Sequence, residues 1–106
     1  PAAPEVVDYA VRLVRATRPQ DGTAPSYVRD WVRWGTSPRA SQNLLLVGRA
    51  RAACQGRFHV ACEDIAAVAK PVLRHRMIRT FRAEADAKST DDIIGRLIEE
   101  VPRYLK

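Results

Sequence analysis

Apolar residues recur at helical spacing through most of this chain, and prolines, glycines and, near Ser89, a capping residue cut the pattern into five lengths. A short helix with one apolar stripe is marginal alone in water and must bury that stripe against neighbours. The pattern therefore predicts an all-α fold, a small bundle of about five helices. The first runs from Pro4 to Arg18, with Val6, Val7, Ala10, Val11, Leu13 and Val14 on one side and Arg12 and Arg15 on the other; Pro19 stops it. A loop with a turn signal at Asp21-Gly22 leads to Ser26, read as the cap of a short helix carrying Tyr27, Val28, Trp31, Val32 and Trp34, and Gly35 reads as its C′ glycine. The two tryptophans read as core or interface, with a binding platform as the alternative.

The third helix starts at Ser37-Pro38 and runs to about Gln55, closed by Gly56. Leu44 to Val47 with Ala50, Ala52 and Ala53 make it the most apolar, the expected centre of the bundle. Glu63 and Asp64 open a fourth, with Ile65, Val68, Ala69, Val72 and Leu73 inward and a kink or tightened last turn expected at Pro71. Residues 77–82 are ambiguous between continued helix and an extended segment, and the extended reading is favoured. Ser89 or Thr90 caps the last helix, whose stripe is Ile93, Ile94, Leu97, Ile98 and Val101, ending at Pro102.

A chain of 106 residues has room for one domain, expected here over residues 1–106. No apolar run approaches the roughly 20 residues of a membrane span, and no signal peptide is visible. The chain enters a helical pattern at Pro1 without an initiator Met, so it is expected to be a piece of something longer. The net charge of +6 is unevenly spread: residues 29–82 hold eleven basic side chains against Asp30, Glu63 and Asp64. That excess suits an anionic partner, although arginine supplies fifteen of the 18 cations and compositional bias accounts for such clusters equally well.

Several chemistries are excluded by motif. Cys54, Cys62, His59 and His75 lack the spacing of a zinc site, and the cysteines read as buried reduced thiols. No glycine opens a phosphate loop of the G-x-x-x-x-G-K-[ST] type, and neither G-x-G-x-x-G nor a nucleophile elbow occurs. The chain by itself shows no catalytic constellation.

One stretch remains unexplained by folding. In Gly35-Thr36-Ser37-Pro38-Arg39-Ala40, Ser37 reads as N-cap, Pro38 as the first helical residue and Arg39 as the second. A cation there opposes the helix dipole at a cost of roughly 0.3–1 kcal/mol and suits a site where an anion binds beside it.

Taken in series, Asp8-Tyr9 with Arg12-Leu13-Val14, Ala16-Thr17-Arg18-Pro19, Gly35 to Ala40, Ala50-Arg51-Ala52 with Gly56-Arg57, Glu63-Asp64-Ile65, and Val72-Leu73-Arg74-His75-Arg76 resemble the C-terminal lid domain of MoxR-family AAA+ ATPases. The resemblance covers almost the whole chain. It implies a nucleotide-binding core upstream and a lid that supports ATP binding and hydrolysis, with Mg2+, and couples them to conformational change. It also implies that Arg39 is the sensor 2 arginine, a catalytic and nucleotide-binding residue reaching the phosphates held by the core of the same subunit. By analogy with other AAA+ lids, Tyr9 on the first helix is the candidate for the adenine pocket, with a core or surface tyrosine as the alternative. Arg74, His75 and Arg76 match the family without an assigned role.

The family resemblance further implies a cytoplasmic, hexameric ATPase acting in chaperone-like assembly or activation of other proteins, often beside a von Willebrand A-domain protein. Two departures stand out. A Thr-Pro pair usual before the fourth helix is Ala61-Cys62 here, which predicts a weakened cap and a frayed start, and Phe58-His59 replaces a polar-aromatic pair. A rival reading takes Tyr27–Gly35 and the helix after it as a basic helix-turn-helix, with Arg39, Gln42 and Asn43 reading base edges. The Leu44–Val47 run argues against it, because a recognition helix needs one face free for the groove.

Overall fold

The computed structural model describes residues 2–104. Their elements are α1 (Pro4–Ala16), α2 (Ser26–Trp31), β1 (Val32–Trp34), α3 (Ala40–Cys54), α4 (Cys62–Leu73), a 3-10 turn (Arg74–Arg76), β2 (Ile78–Arg79), α5 (Phe81–Ala85) and α6 (Thr90–Glu100). The all-α expectation holds, with six helices among the described residues where the sequence pattern suggested five. Helices α1, α3, α4 and α6 pack together as the bundle, while α2, α5 and the small antiparallel ribbon β1–β2 form a second group at one end. The core lies inside the bundle, where Tyr9, Leu13, Leu44, Ile65, Leu73, Ile93, Ile94 and Leu97 are almost wholly removed from water. Each such aliphatic side chain contributes roughly 1.5–3 kcal/mol by burial.

Where the structure departs from the periodicity, a tertiary contact is the cause. Helix α2 begins at Ser26 with Pro25 in the cap position and stops at Trp31, because Val32–Trp34 pair with β2, Val32 opposite Arg79 and Trp34 opposite Ile78. Tyr27 and Trp31 keep their aromatic contact at 5.7 Å between rings, whereas Trp34 leaves for the ribbon. Gly35 is therefore not a helix C′ residue. Its lack of a side chain serves a close approach instead: a Cβ there would lie 2.7 Å from the Arg18 Cα and 2.8 Å from the Thr17 carbonyl carbon. The extended reading of 77–82 holds for Ile78–Arg79, and α5 follows, started by the Thr80 hydroxyl, which accepts from the Ala83 amide at 3.2 Å.

Helix α3 is central, though not through its leucine run. It buries Ala40, Leu44, Gly48 and Ala52 and leaves Leu46 and Val47 exposed. Small residues let α4 come close, and a Cβ on Gly48 would meet Ile65 Cδ1 at 2.9 Å. The start of α4 is capped from within its own first turn. Asp64 reaches back to accept the Ala61 amide at 2.8 Å, which replaces the expected cap. After Pro71, α4 continues to Leu73 and then tightens into the 3-10 turn, and α6 is capped by Ser89 and Asp92 as expected. Cys62 is buried as anticipated; Cys54 is exposed, and neither is in a disulfide.

Candidate functional site

The residues that lead into α3 are bolted to the end of α1. Thr17 donates its hydroxyl to the Val14 carbonyl at 2.6 Å, which leaves its oxygen to accept twice from Thr36, from the amide at 3.2 Å and from the hydroxyl at 2.9 Å. Both threonines are buried, so this is a fully used polar pair inside the fold. With Gly35 packed on the same backbone, two motifs separate in sequence, Ala16–Pro19 and Gly35–Ala40, form one joint. Helix α3 grows from it through a tight turn in which the Ala40 amide donates to the Ser37 carbonyl at 3.0 Å and the Ser41 amide to the Pro38 carbonyl at 3.4 Å. The cap position is Arg39 and no side chain caps the helix, so the reading of Ser37 as N-cap and Arg39 as second helical residue is corrected by two residues. Proline at 38 favours the turn rather than the first helical position, and the backbone carbonyls of Ser37 and Pro38 take the role expected of a hydroxyl.

Arg39 is exposed at this helix start, with no ion pair or side-chain hydrogen bond among the described residues. Beside it, a groove of about 380 Å³ runs between α1 and the start of α3, lined by Val11, Arg15, Arg18 and Asp21 on one side and Pro38 and Ser41 on the other. Arg15 is committed to Asp21 at 3.0 Å. Asp21 also accepts from the Thr23 hydroxyl and amide; these bonds, and then Arg15, hold its carboxyl well below the usual carboxylate range. Arg18, half-buried in the groove wall, has no carboxylate partner among the described residues. The groove thus offers an apolar wall and one guanidinium, that of Arg18, without a carboxylate partner, and Arg39 follows the groove-lining Pro38 in sequence, an arrangement suited to an anion carrying a flat or apolar portion. The sequence alone does not single out Arg18 or Val11 as site residues. Val11 and Arg15 share a face of α1 at i, i+4, but Arg18 lies beyond the end of the helix at Ala16, so helical spacing does not single it out.

The other motif arginines are occupied. Arg51 meets the fully buried Asp64 at 2.6 Å, and Arg57 grips the same carboxylate with two nitrogens at 2.5 and 2.8 Å. Arg57, then the Ala61 amide and Arg51, pull the Asp64 carboxyl well below its ordinary range against the opposing effect of burial. Arg74 forms a bidentate pair with Asp91 at 2.9 and 3.0 Å, joining the end of α4 to the start of α6, and Arg76 donates to the Val72 carbonyl at 3.0 Å. Arg12 pairs with Asp8 and donates to the carbonyls of Pro102 and Arg103. These contacts give Arg74 and Arg76 a structural place; His75 is exposed beside them.

Tyr9 does not join Arg39. Its ring is wholly inside the bundle, its hydroxyl has no hydrogen-bond partner among the described residues, and burial raises its pKa. The core alternative thus describes its position. No group of three or more His, Cys, Asp or Glu side chains capable of holding a metal exists among the described residues, and no described helix is long and apolar enough to cross a membrane. The helix-turn-helix geometry is absent as well. Helices α2 and α3 are separated by a paired strand and the Gly35–Arg39 segment, where that motif needs a turn of about 3–4 residues.

Comparisons with known proteins agree with this geometry. The family model described as AAA lid domain matches residues 25–97. The chain is 40% identical over 96 residues to Chaperone MoxR1 of Mycobacterium tuberculosis (strain ATCC 25618 / H37Rv), covering 91% of this chain and 26% of that protein. Among solved structures, the crystal structure of a "putative ATPase" from Cytophaga hutchinsonii ATCC 33406 superposes with a TM-score of 0.89 at 33% identity, over 99% of this chain and 32% of the other. The chain therefore spans about a quarter to a third of the length of these relatives. With the six-helix architecture and the series of motifs in order, this chain belongs to the AAA lid domain family, in its MoxR-like form.

Proposed function

We propose that this chain is the lid of an ATP-hydrolysing MoxR-like AAA+ protein whose nucleotide-binding core precedes it, and that Arg39 is its sensor 2 residue. One observation carries the reading. Five motif arginines, Arg12, Arg51, Arg57, Arg74 and Arg76, are spent on contacts within the domain, while Arg18, in the groove wall, and Arg39, next in sequence to the groove-lining Pro38, make no ion pair among the described residues. The residues present fit the phosphates of ATP, since two arginines face outward without carboxylates to neutralise them. Among the described residues no cluster of carboxylates is placed to hold Mg2+, and in this reading the metal belongs to the core.

In this reading ATP is the substrate, and its γ-phosphate transfer is driven by charge neutralisation and positioning. Arg39 supplies a fixed positive charge, and its place on α3, joined to α1 through Thr17 and Thr36, turns the presence of the third phosphate into a lid position. Tyr9 serves the nucleotide side only as the buried ring that seats α1. The hexameric state, chaperone-like assembly or activation of other proteins, a cytoplasmic location and a von Willebrand A-domain partner belong to the same proposal through the family resemblance. Steady-state hydrolysis by the full-length protein tests it: Arg39→Ala lowers turnover with an unchanged lid fold, and an unchanged rate removes the sensor role. This chain alone hydrolyses no ATP, and turnover in a clean preparation overturns the lid reading.

A further inference from the structure

A group of exposed apolar side chains that the groove does not explain lies at the other group of elements. Trp34 is 58% exposed, Ile78 56% and Phe81 87%. Trp34 sits opposite Ile78 across the ribbon, and Phe81 follows two residues beyond Arg79. Phe81 lines a cavity of about 290 Å³ with Arg33, Arg79, Thr80 and Glu84. The pairing register slips between Val32 and Trp34, which leaves Arg33 at a bulge; bulges re-aim side chains and recur at recognition sites.

The patch is held firmly. Thr80 donates its hydroxyl to the Asp30 carbonyl at 2.6 Å and its amide to the Trp31 carbonyl at 3.0 Å, and the Trp31 indole donates to Asp86 at 2.9 Å. Ordering costs on binding are accordingly small. Exposed tryptophan, phenylalanine and arginine together are the composition of a binding hot spot.

We propose that the β1–β2 ribbon is a docking surface for an acidic segment of a separate protein, whose apolar side chains cover Trp34, Ile78 and Phe81 while its carboxylates meet Arg33 and Arg79. Charge selects this occupant. Arg33 and the nearby Arg29 make no ion pair among the described residues. Arg79 donates to the Lys88 carbonyl and stands 3.9 Å from the exposed Glu84, so it retains capacity for a carboxylate. A symmetric pair of ribbons would set the same arginines against each other, which disfavours a second copy. The exposed aliphatic Ile78 opposite Trp34 gives apolar side chains something to cover, which favours a protein segment over a phosphate backbone. Because Trp34 leads directly into Gly35 and Arg39, the surface adjoins the joint that carries the groove.

The test pans a display library of random short peptides against the full-length protein, with Trp34→Ala/Phe81→Ala as counter-target. Peptides enriched on the wild type are expected to carry several Asp or Glu beside Leu, Ile, Phe or Trp. Fluorescence anisotropy should show at least a tenfold loss of affinity with either Trp34→Ala or Arg33→Glu, and weakening at high salt. Leu46→Ala, on the exposed side of α3, leaves their affinity unchanged. Circular dichroism checks that the variants fold, and any variant that does not is replaced by Phe81→Ser, which removes an exposed ring. The proposal is overturned by no enrichment over the counter-target, by enrichment of uncharged or basic peptides, or by tighter binding of single-stranded nucleic acid through the same residues. Protection of Trp34 from hydrogen exchange by the protein's own core overturns it too.

Discussion

The two ends of α3 treat arginine in opposite ways. At the C-terminal end, Arg51 and Arg57 converge on one buried carboxylate, and Asp64 in turn holds the first turn of α4. At the N-terminal end, Arg39 stands in water with no acid to meet it among the described residues, although the backbone beneath it is bolted to α1 through Thr17, Thr36 and Gly35. One end spends its charge on the fold; the other holds a charge in place and leaves it unspent. Under the proposed sensor role of Arg39, the contrast separates stability from function within a single helix. A substitution at the latch should be read in unfolding curves, and one at the free end in catalysis.

The largest effect expected is on hydrolysis. Arg39→Ala in the full-length protein should lower kcat about a hundredfold, roughly 2.7 kcal/mol of barrier, in the range seen when one charged donor is removed from a transition state. Its unfolding midpoint should not move, and a destabilised lid would erase the distinction between the two ends. Next comes Asp64→Ala. It strands two arginines that are about a third exposed, so the cost falls below that of a fully buried pair, at roughly 2–3 kcal/mol by urea unfolding of this chain. An unfolding curve that does not shift would make the latch ornamental.

The latch also has a pH signature. The folded Asp64 carboxyl titrates below its unfolded value, so its contribution is complete above about pH 4 to 5 and is lost as the pH falls toward the lower folded value. Urea midpoints measured from pH 6 downward should decline less steeply for Asp64→Asn than for the wild type; parallel declines would assign the acid sensitivity elsewhere. A smaller effect is expected at the joint. Gly35→Ala forces a methyl against the backbone of Thr17 and Arg18, costing roughly 1–3 kcal/mol, and by shifting Arg39 it should lower hydrolysis as well. Thr17→Val should cost about 1 kcal/mol in unfolding, and if it left hydrolysis untouched the joint would matter for stability alone.

Long apolar stripes were legible in the chain. Helices α1, α4 and α6 were placed to within a few residues because their periodicity is regular and Pro19, Glu63-Asp64 and Ser89 punctuate it. The end of α2 was not legible, since Val32 and Trp34 continue a helical spacing and only the pairing with Ile78–Arg79 draws them into a strand. Helix α5 was missed for a related reason: five residues with one buried alanine carry almost no periodic signal. In the candidate site, the misfit of Arg39 could be seen from its position before the apolar run. Arg18 could not be told from the other motif arginines, because all were equally charged and equally embedded in recurring motifs.

By itself the sequence determined the helical class, the charge excess of the middle segment and the arginine at the head of α3, because each depends on residue type and spacing along the chain. Tertiary structure decided which arginines were free. Whether a guanidinium meets a carboxylate depends on partners such as Asp64, thirteen residues from Arg51, and Asp91, seventeen from Arg74, brought within hydrogen-bonding distance only when the helices pack. It also decided the joint at Gly35, where two backbones approach too closely for any side chain, a relation between distant residues that no local pattern records.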